Sequence, residues 1–395
     1  MIKSLDLKEV ASVDSSLALV EMEVEGAKRE GVSVLKLLHG YGSHGQGGAT
    51  LKEVRRLLLI LKKRGKIKEF FNGDKWNLFQ KECVEILTRD KTIVGDCDLN
   101  KNNPGITIVV LWGTMKCFSC PRKCGIDRDN NNGFCGEGNK IRIAKIINNF
   151  MWEEPPVSKQ KGTCAIFFSG CNLRCKFCQN YQISRGGKGE LYTVKEFADL
   201  LRKIDQSDNE SIDLITPTHF TDQIVDAFKI YRPKKKIVYN SSGYELEEQI
   251  EKIAEYVDIF LPDFKYSSGE LSQKLSLAKD YFDVASRAVL KMVNLKQNVF
   301  KEGLMEQGVI IRHLVLPGEI ENTLRVLDFV KENISNPVIS VMAQFVPSGE
   351  VKDGRKINNL EYKIVLNHIH KLGLTEGYVQ GLNSADDKFI PSFFE

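Results

Sequence analysis

The chain has no apolar run of membrane-spanning length, so none of its 395 residues reads as a transmembrane helix. Its start, Met1-Ile2-Lys3-Ser4-Leu5-Asp6, lacks signal or transit character. Together these absences point to a soluble, cytoplasmic protein. A net charge of only +4 is too small for composition alone to indicate a nucleic-acid binder. There is no internal repeat, which excludes a repeat array, and no low-complexity tract. What remains is 42% hydrophobic and 27% charged, ordinary for a globular chain long enough for two or three domains. Cysteine is not scarce: there are ten, but they are not scattered as a disulfide framework would be. Seven fall in two tight groups, and Cys83, Cys97 and Cys164 stand apart. Grouped thiols without an export signal read as metal ligands in a reducing compartment.

The denser group is Cys171, Cys175 and Cys178, spaced C-x3-C-x2-C, directly after the apolar run Ala165-Ile166-Phe167-Phe168-Ser169. That run reads as a buried strand. A loop this short can wrap three thiolates around three irons of a 4Fe–4S cubane and leave the fourth iron open. An open metal position separates a catalytic site from a structural one. The open iron can chelate the amino and carboxylate groups of S-adenosylmethionine, whose one-electron cleavage yields a 5′-deoxyadenosyl radical. The alternatives are a zinc knuckle or three inert buried thiols. Zinc asks for a fourth ligand close by, and the next histidine downstream is His219. Phe177, just before the third cysteine, suits a site that packs an adenine beside the cluster.

Four segments emerge: 1–90, a linker at 91–110 with a polar connector from Gly95 to Gly105, a cysteine-rich segment at 111–150, and 151–395. In the first, a helix from Ser15 to Lys28, capped by Asp14 and ended by Gly31, precedes a strand Val32–Leu38, a glycine-rich turn and a helix Thr50–Arg64. From Cys164 onward strands and helices alternate. The strands are 164–169, 212–217, 236–241, 257–264, 309–316 and 338–346, and the helices between them include 193–204, 221–231, 245–256 and 321–331. Six β-α units in series argue for an α/β fold with a parallel sheet, most naturally a partial (β/α)6 barrel of the TIM type. In such a barrel the site lies at the C-terminal strand ends, where the cysteine loop falls.

The stretch from Ala165 through Cys178-Gln179-Asn180 resembles the radical S-adenosylmethionine superfamily, and most closely the branch related to pyruvate formate-lyase activating enzyme. Leu214-Ile215-Thr216-Pro217-Thr218-His219, Tyr239-Asn240-Ser241-Ser242-Gly243-Tyr244, Leu261-Pro262-Asp263-Phe264-Lys265-Tyr266 and Arg312-His313-Leu314-Val315-Leu316-Pro317-Gly318 follow in the expected order. The resemblance covers about residues 110–395. It implies a radical SAM oxidoreductase with a 4Fe–4S cluster at Cys171, Cys175 and Cys178. It also implies an S-adenosylmethionine pocket at the strand ends and a one-electron donor such as flavodoxin or ferredoxin. Its substrate is unassigned; by resemblance it is a protein, with the chain acting as a glycyl-radical-enzyme activase. Asp263 and Lys265 alternate on the fourth strand and share a face, suited to the two charged ends of the cofactor. Arg312 offers a fork for a carboxylate, Asn240 and Phe177 line the same pocket, and His313, facing the other way, packs in the core. Where activating enzymes carry Gly-Gly-Glu, this chain has Thr216-Pro217-Thr218-His219, so hydroxyls or carbonyls, Thr216 among them, must meet the cofactor's amino group.

The second group, Cys117, Cys120, Cys124 and Cys135, is spaced C-x2-C-x3-C-x10-C and supplies four thiolates. That closes a tetrahedral zinc site or holds an auxiliary cluster, and spacing does not separate the two. So short and polar a segment gains from a metal staple.

His39-Gly40-Tyr41-Gly42-Ser43-His44-Gly45 resembles the signature of Smr domains, small α/β modules associated with nucleic-acid binding or nicking. From Leu51 to Lys68 there are eight basic residues against one acidic, which suits phosphate contact through residues 1–90 with RNA or DNA. The family's Leu-Asp-x-His is here Leu5-Asp6-Leu7-Lys8, so binding is expected more than cleavage. Two other functions therefore stand beside the activase: radical modification of a nucleic acid, and a non-catalytic iron–sulfur protein that binds one.

Overall fold

The computed structural model describes residues 2–29, 32–40, 49–64, 66–80, 83–84, 86–87, 90–111, 117–129, 131–151, 155–351, 354–386, 391 and 393. The chain divides into two compact units, 1–116 with 125–129, and 117–124 with 130–395.

The first unit runs β1 (Ile2–Asp6), a helix (Val13–Arg29), β2 (Val34–Leu38), a helix (Ala49–Lys63), β3 (Glu69–Asn72) and β4 (Ile106–Val110). The sheet order is β1-β2-β4-β3, with β1 parallel to β2 and β4 antiparallel to both its neighbours. The first helix is capped by Ser12, whose Oγ accepts the Ser15 N–H at 3.1 Å. Asp14, expected as the cap, lies inside the first turn. Its expected stop, Gly31, and residues 41–48 of the glycine turn, His44 and Gly45 among them, lie outside the described residues.

Alternation along β2 sorts two cores. Leu35 and Leu37 meet Val20, Val24, Val54 and Leu58 from the helices, while Val34 packs with Trp76, Ile86 and Ile93 on the other face. Lys36 shares the Val34 face and is only 4% exposed. Its ammonium donates to Asp96 at 2.5 Å and Asp98 at 2.7 Å. The second Asp96 oxygen accepts the Trp76 indole N–H at 2.7 Å. An unpaired ammonium there would cost several kcal/mol. The carboxylates, with Cys97 beside them, could otherwise group around a metal ion, but Lys36 fills that place.

This corrects the expected boundary. The polar stretch read as a connector carries the counter-ions of a buried lysine, and β4, inside the expected linker 91–110, lies between β2 and β3. Polar composition looks the same whether a segment is solvated or is neutralising a buried charge.

The second unit carries β5 (Ile141–Phe150), β6 (Thr163–Phe168), β7 (Glu190–Tyr192), β8 (Ser211–Ile215), β9 (Lys236–Ser241), β10 (Ile259–Pro262), β11 (Val299–Lys301), β12 (Leu304–Leu314), β13 (Val338–Met342) and β14 (Gly377–Val379). Their order is β14-β13-β12-β10-β9-β8-β6-β5-β7, with β11 hairpinned onto β12. Neighbours from β6 to β14 are parallel, while β5 is antiparallel to β6 and β7. This mixed α/β sheet, open in order, is compatible with a partial barrel. The six expected parallel strands are present. β14, three residues long, and the antiparallel β5 and β7 extend the sheet beyond them.

Helices follow the strands for the reason their stripes announce. In Val194–Asp205, Phe197, Ala198, Leu201 and Ile204 are buried, and Thr193 closes a capping box with Glu196. Burying each large apolar side chain contributes roughly 1.5–3 kcal/mol. Cys164, Ile166 and Phe168 of β6, Ile212 and Leu214 of β8, and Ile237 and Tyr239 of β9 meet these helices in one core. Among the described residues no helix is long and apolar enough to cross a membrane.

Candidate active site

Alternation that sends Ile237 and Tyr239 toward the helices leaves Val238 and Asn240 on the opposite face of β9, as it does Ile259 and Leu261 on β10 and Ile310 and Arg312 on β12. The first residues of these series are apolar, and the polar ones come at the C-terminal ends. β10 ends at Pro262, so Asp263 and Lys265 lie just beyond it rather than on it, and Asp263 still bridges Arg312 in parallel register.

Four side chains expected in the pocket meet here. Arg312 Nε donates to Asp263 Oδ1 at 3.0 Å, and its Nη2 donates to Asn240 Oδ1 at 2.6 Å. Lys265 Nζ donates to Asp263 Oδ2 at 2.5 Å. Burial would raise the Asp263 carboxyl, but Arg312 and Lys265 outweigh it and hold it below its ordinary range. Burial would likewise lower Lys265, yet Asp263 and then Cys175 keep it protonated above its usual value. Thr216, at the end of β8, has φ +62° and donates its N–H to the Asn240 carbonyl at 2.8 Å. A β-branched residue in the left-handed region costs of order 1–3 kcal/mol, a strain that concentrates at functional sites.

The cysteine loop leaves β6 at the same end. Gly170 N–H donates to Ile183 O at 2.8 Å, and Leu173 N–H to Cys171 Sγ at 3.4 Å. Ser276 Oγ stands 3.0 Å from Cys175 Sγ, a contact the sequence did not announce because it comes from about a hundred residues away. Burial pushes the Cys171 thiol well up and Cys178 to about 11, with the Lys265 charge opposing in both. Thiols so placed become ligands when a metal supplies the compensating charge. Three thiols on one short loop, beside a cationic and acidic pocket, are a donor set that suits a thiolate-held cluster.

Phe177 is buried, with its ring 5.8 Å from Phe345. His219 Nε2 bonds the Ser169 carbonyl at 2.7 Å, behind the loop. His313 is in the core between Phe264 O and Thr323 Oγ1, its pKa lowered to about 4 by burial. Cys117, Cys120, Cys124 and Cys135 belong to the second unit. Burial raises Cys120 to about 12, the other three thiols adding in the same direction.

Near the strand ends Glu245 is 2% exposed, with Thr218 Oγ1 donating to its Oε1 at 2.5 Å. Burial pushes its carboxyl from 4.5 up to about 7, against the opposing hydrogen bonds of Thr218, Ser241 and Tyr239. A raised acid favours the folded state at low pH, and that contribution is lost as pH rises from the unfolded value to 7. The Glu245→Gln variant should gain on the parent by up to about 3 kcal/mol between pH 5 and 8, at about 1.36 kcal/mol per pH unit. Chemical denaturation across that range checks it, and parallel profiles would refute it.

Residues 165–330 match the family model described as the Radical SAM superfamily. An uncharacterized protein of Methanocaldococcus jannaschii is 30% identical over 273 residues, 66% of this chain and 75% of that protein. Among solved structures, SuiB of Streptococcus suis bound to precursor peptide SuiA is 15% identical with a TM-score of 0.40. That match covers 57% of this chain and 50% of SuiB, so the chain spans about half of SuiB's length. A domain of pyruvate-formate lyase-activating enzyme from Bacteroides vulgatus is 10% identical with a TM-score of 0.31, over 41% of this chain and 92% of that domain.

Proposed function

This chain belongs to the radical SAM superfamily, and we propose that it abstracts hydrogen from a substrate after S-adenosylmethionine is cleaved at a 4Fe–4S cluster on Cys171, Cys175 and Cys178. Members of that superfamily are enzymes that use such a cluster with S-adenosylmethionine and need an electron donor. When bound, the cluster supplies the electron that cleaves the sulfonium to methionine and a 5′-deoxyadenosyl radical.

The observation that carries the reading is the meeting of Asn240, Asp263, Lys265 and Arg312 beside the cysteine loop. Lys265 and Arg312 offer cations to the cofactor's carboxylate, and Asp263 an acceptor for its ribose or amino end. Thr216, its backbone turned into the left-handed region, presents a hydroxyl and a carbonyl where activating enzymes use a glutamate. Phe177 with Phe345 forms an apolar wall for the adenine. Flavodoxin or ferredoxin is the electron donor, a protein is the favoured substrate in the manner of a glycyl-radical activase, and the cytoplasm is the compartment. Cys117, Cys120, Cys124 and Cys135 bind zinc or a second cluster. Anaerobic reconstitution, reduction and chromatography for 5′-deoxyadenosine and methionine test the reading. A fully loaded protein that forms neither is not a radical enzyme.

A second reading rests on the first unit, taken as Smr-like and bound to RNA or DNA, with radical modification of that nucleic acid or a non-catalytic role as its consequence. Its support is the helix Ala49–Lys63 with Lys52, Arg55, Arg56, Lys62 and Lys63. Two of these cations already face carboxylates, Arg56 with Glu53 at 3.1 Å and Lys62 with Glu69 at 2.6 Å. Binding should therefore be weak and fall steeply with salt. In the full chain, Arg55→Ala with Arg56→Ala should weaken it severalfold and flatten the salt slope. A fluorescence titration that detects no binding at low salt ends this reading.

A further inference from the structure

The second thiol group does not stand apart from the radical loop. Cys171 N–H donates to the Cys135 carbonyl at 3.3 Å, so the first cluster ligand hangs from the last ligand of the other group. Arg174, between Cys171 and Cys175, donates to the Phe134 carbonyl and lies 4.8 Å over the Phe134 ring. Arg122, between Cys120 and Cys124, stacks on the same ring at 4.0 Å. It also donates to Asn172 O at 2.7 Å and Leu277 O at 2.5 Å. Phe134 is thus held by one arginine from each cysteine group.

The backbone is built for this approach. Gly170 has φ +83°, and a Cβ there would come within 2.6 Å of Cys135 O and 2.8 Å of Glu137 Cγ. Gly136 has φ +87°, and its Cβ would meet Arg185 O at 2.1 Å. Glu137, 1% exposed, anchors the turn by accepting the Gly187 N–H at 2.6 Å and Arg142 Nε at 3.0 Å. At Gly170 no side chain fits between the two loops.

We propose that a metal centre on Cys117, Cys120, Cys124 and Cys135 positions the radical loop, holding Cys171 and Arg174 through Cys135 and Phe134 so that the loop can bind its cluster. The proposal rests on the radical SAM reading of Cys171, Cys175 and Cys178. Its shared chemistry is thiolate ligation by zinc or iron, and because no three of these sulfurs lie within 4.8 Å of one another, a single zinc ion would have to draw them together. The physical reason is local: residues 117–124 and 131–138 contain no helix or strand, so their shape depends on a cross-link. Without it, the carbonyls of Phe134 and Cys135 lose their places and the loop loses two supports.

The test is anaerobic reconstitution of the full chain with Cys117→Ser and Cys120→Ser together, read by metal analysis and by the EPR spectrum of the reduced cluster with and without S-adenosylmethionine. The parent should contain zinc or iron beyond the radical cluster, and its spectrum should change on adding S-adenosylmethionine. The double variant should lose the extra metal, and its radical-cluster signal should fall severalfold or no longer respond to the cofactor. An unaltered cluster signal with a full response, in a variant that has lost the extra metal, overturns the proposal. So does a parent that carries no extra metal. A parent whose spectrum never responds to S-adenosylmethionine instead defeats the functional reading on which this rests. If the double variant is insoluble, Arg174→Ala decides, because it leaves all seven thiols in place. It should keep the extra metal yet show an altered cluster spectrum and at least severalfold weaker S-adenosylmethionine binding, and parent-like values in both refute the proposal.

Discussion

Reconstituted Cys175→Ala protein should hold no radical cluster and release no 5′-deoxyadenosine above a protein-free control. Three thiolates are the minimum that leaves one iron open while fixing the other three, and two neighbours cannot substitute for the middle ligand. Cys175 also receives the Ser276 hydroxyl at 3.0 Å and acts on the Lys265 ammonium, so its loss removes one link between loop and pocket. Cys97→Ser is the control, since Cys97 is exposed and lies in the first unit. It should match the parent in iron content and product. Equal deoxyadenosine from Cys175→Ala and the parent would remove the proposed function.

Asp263→Asn should lower both stability and cofactor affinity. The carboxylate joins two cations, and its side chain is 17% exposed, with Lys265 at 17% and Arg312 at 14%. Removing its charge leaves the ammonium and guanidinium facing each other. Breaking a buried pair costs about 3–5 kcal/mol, and the residual exposure here brings the expectation to roughly 2–3 kcal/mol. Loss of a charge-assisted contact to S-adenosylmethionine should weaken its binding on the order of tenfold. The pH signature has a definite sign. The folded carboxyl is held below its ordinary value, so its contribution is present above the unfolded pKa of about 3.9 and disappears as pH falls through the folded value. The variant should therefore differ most from the parent above pH 5 and least near pH 2. Denaturation at both ends, with calorimetric titration of S-adenosylmethionine at neutral pH, checks the two effects. A variant with parent stability and affinity would show that the triad is only a surface pairing.

Much of the second unit was legible because its strands are short apolar runs bounded by turn residues and its helices carry one apolar stripe. The strand expected at 236–241 is β9 to the residue, four others agree within four positions at their ends, and β12 begins five residues before the expected start at 309. Boundaries drifted where polar residues continue the alternation past the last ladder bond, as at Asp263 and Lys265. β14 escaped notice because three residues have no period, and β4 because a polar stretch beside it suggested a linker. In the pocket, residue type and spacing identified candidates, but partners remained hidden. Ser276 beside Cys175, and Arg122 and Phe134 beside the radical loop, are separated along the chain from what they touch.

The C-x3-C-x2-C loop after a buried strand, the order of landmarks along the sheet and the four further thiols can all be read along the chain. Those are local facts, since spacing sets which ligands can reach one centre and alternation sets which side chains share a face. Tertiary structure decided that Asn240, Asp263, Lys265 and Arg312 form one ion-paired cluster, that Lys36 draws Asp96 and Asp98 into the first unit, and that Cys135 touches Cys171. The reason is the same in each case. A buried charge or backbone group must find its counterpart, and which one it finds depends on chain segments that only folding brings together.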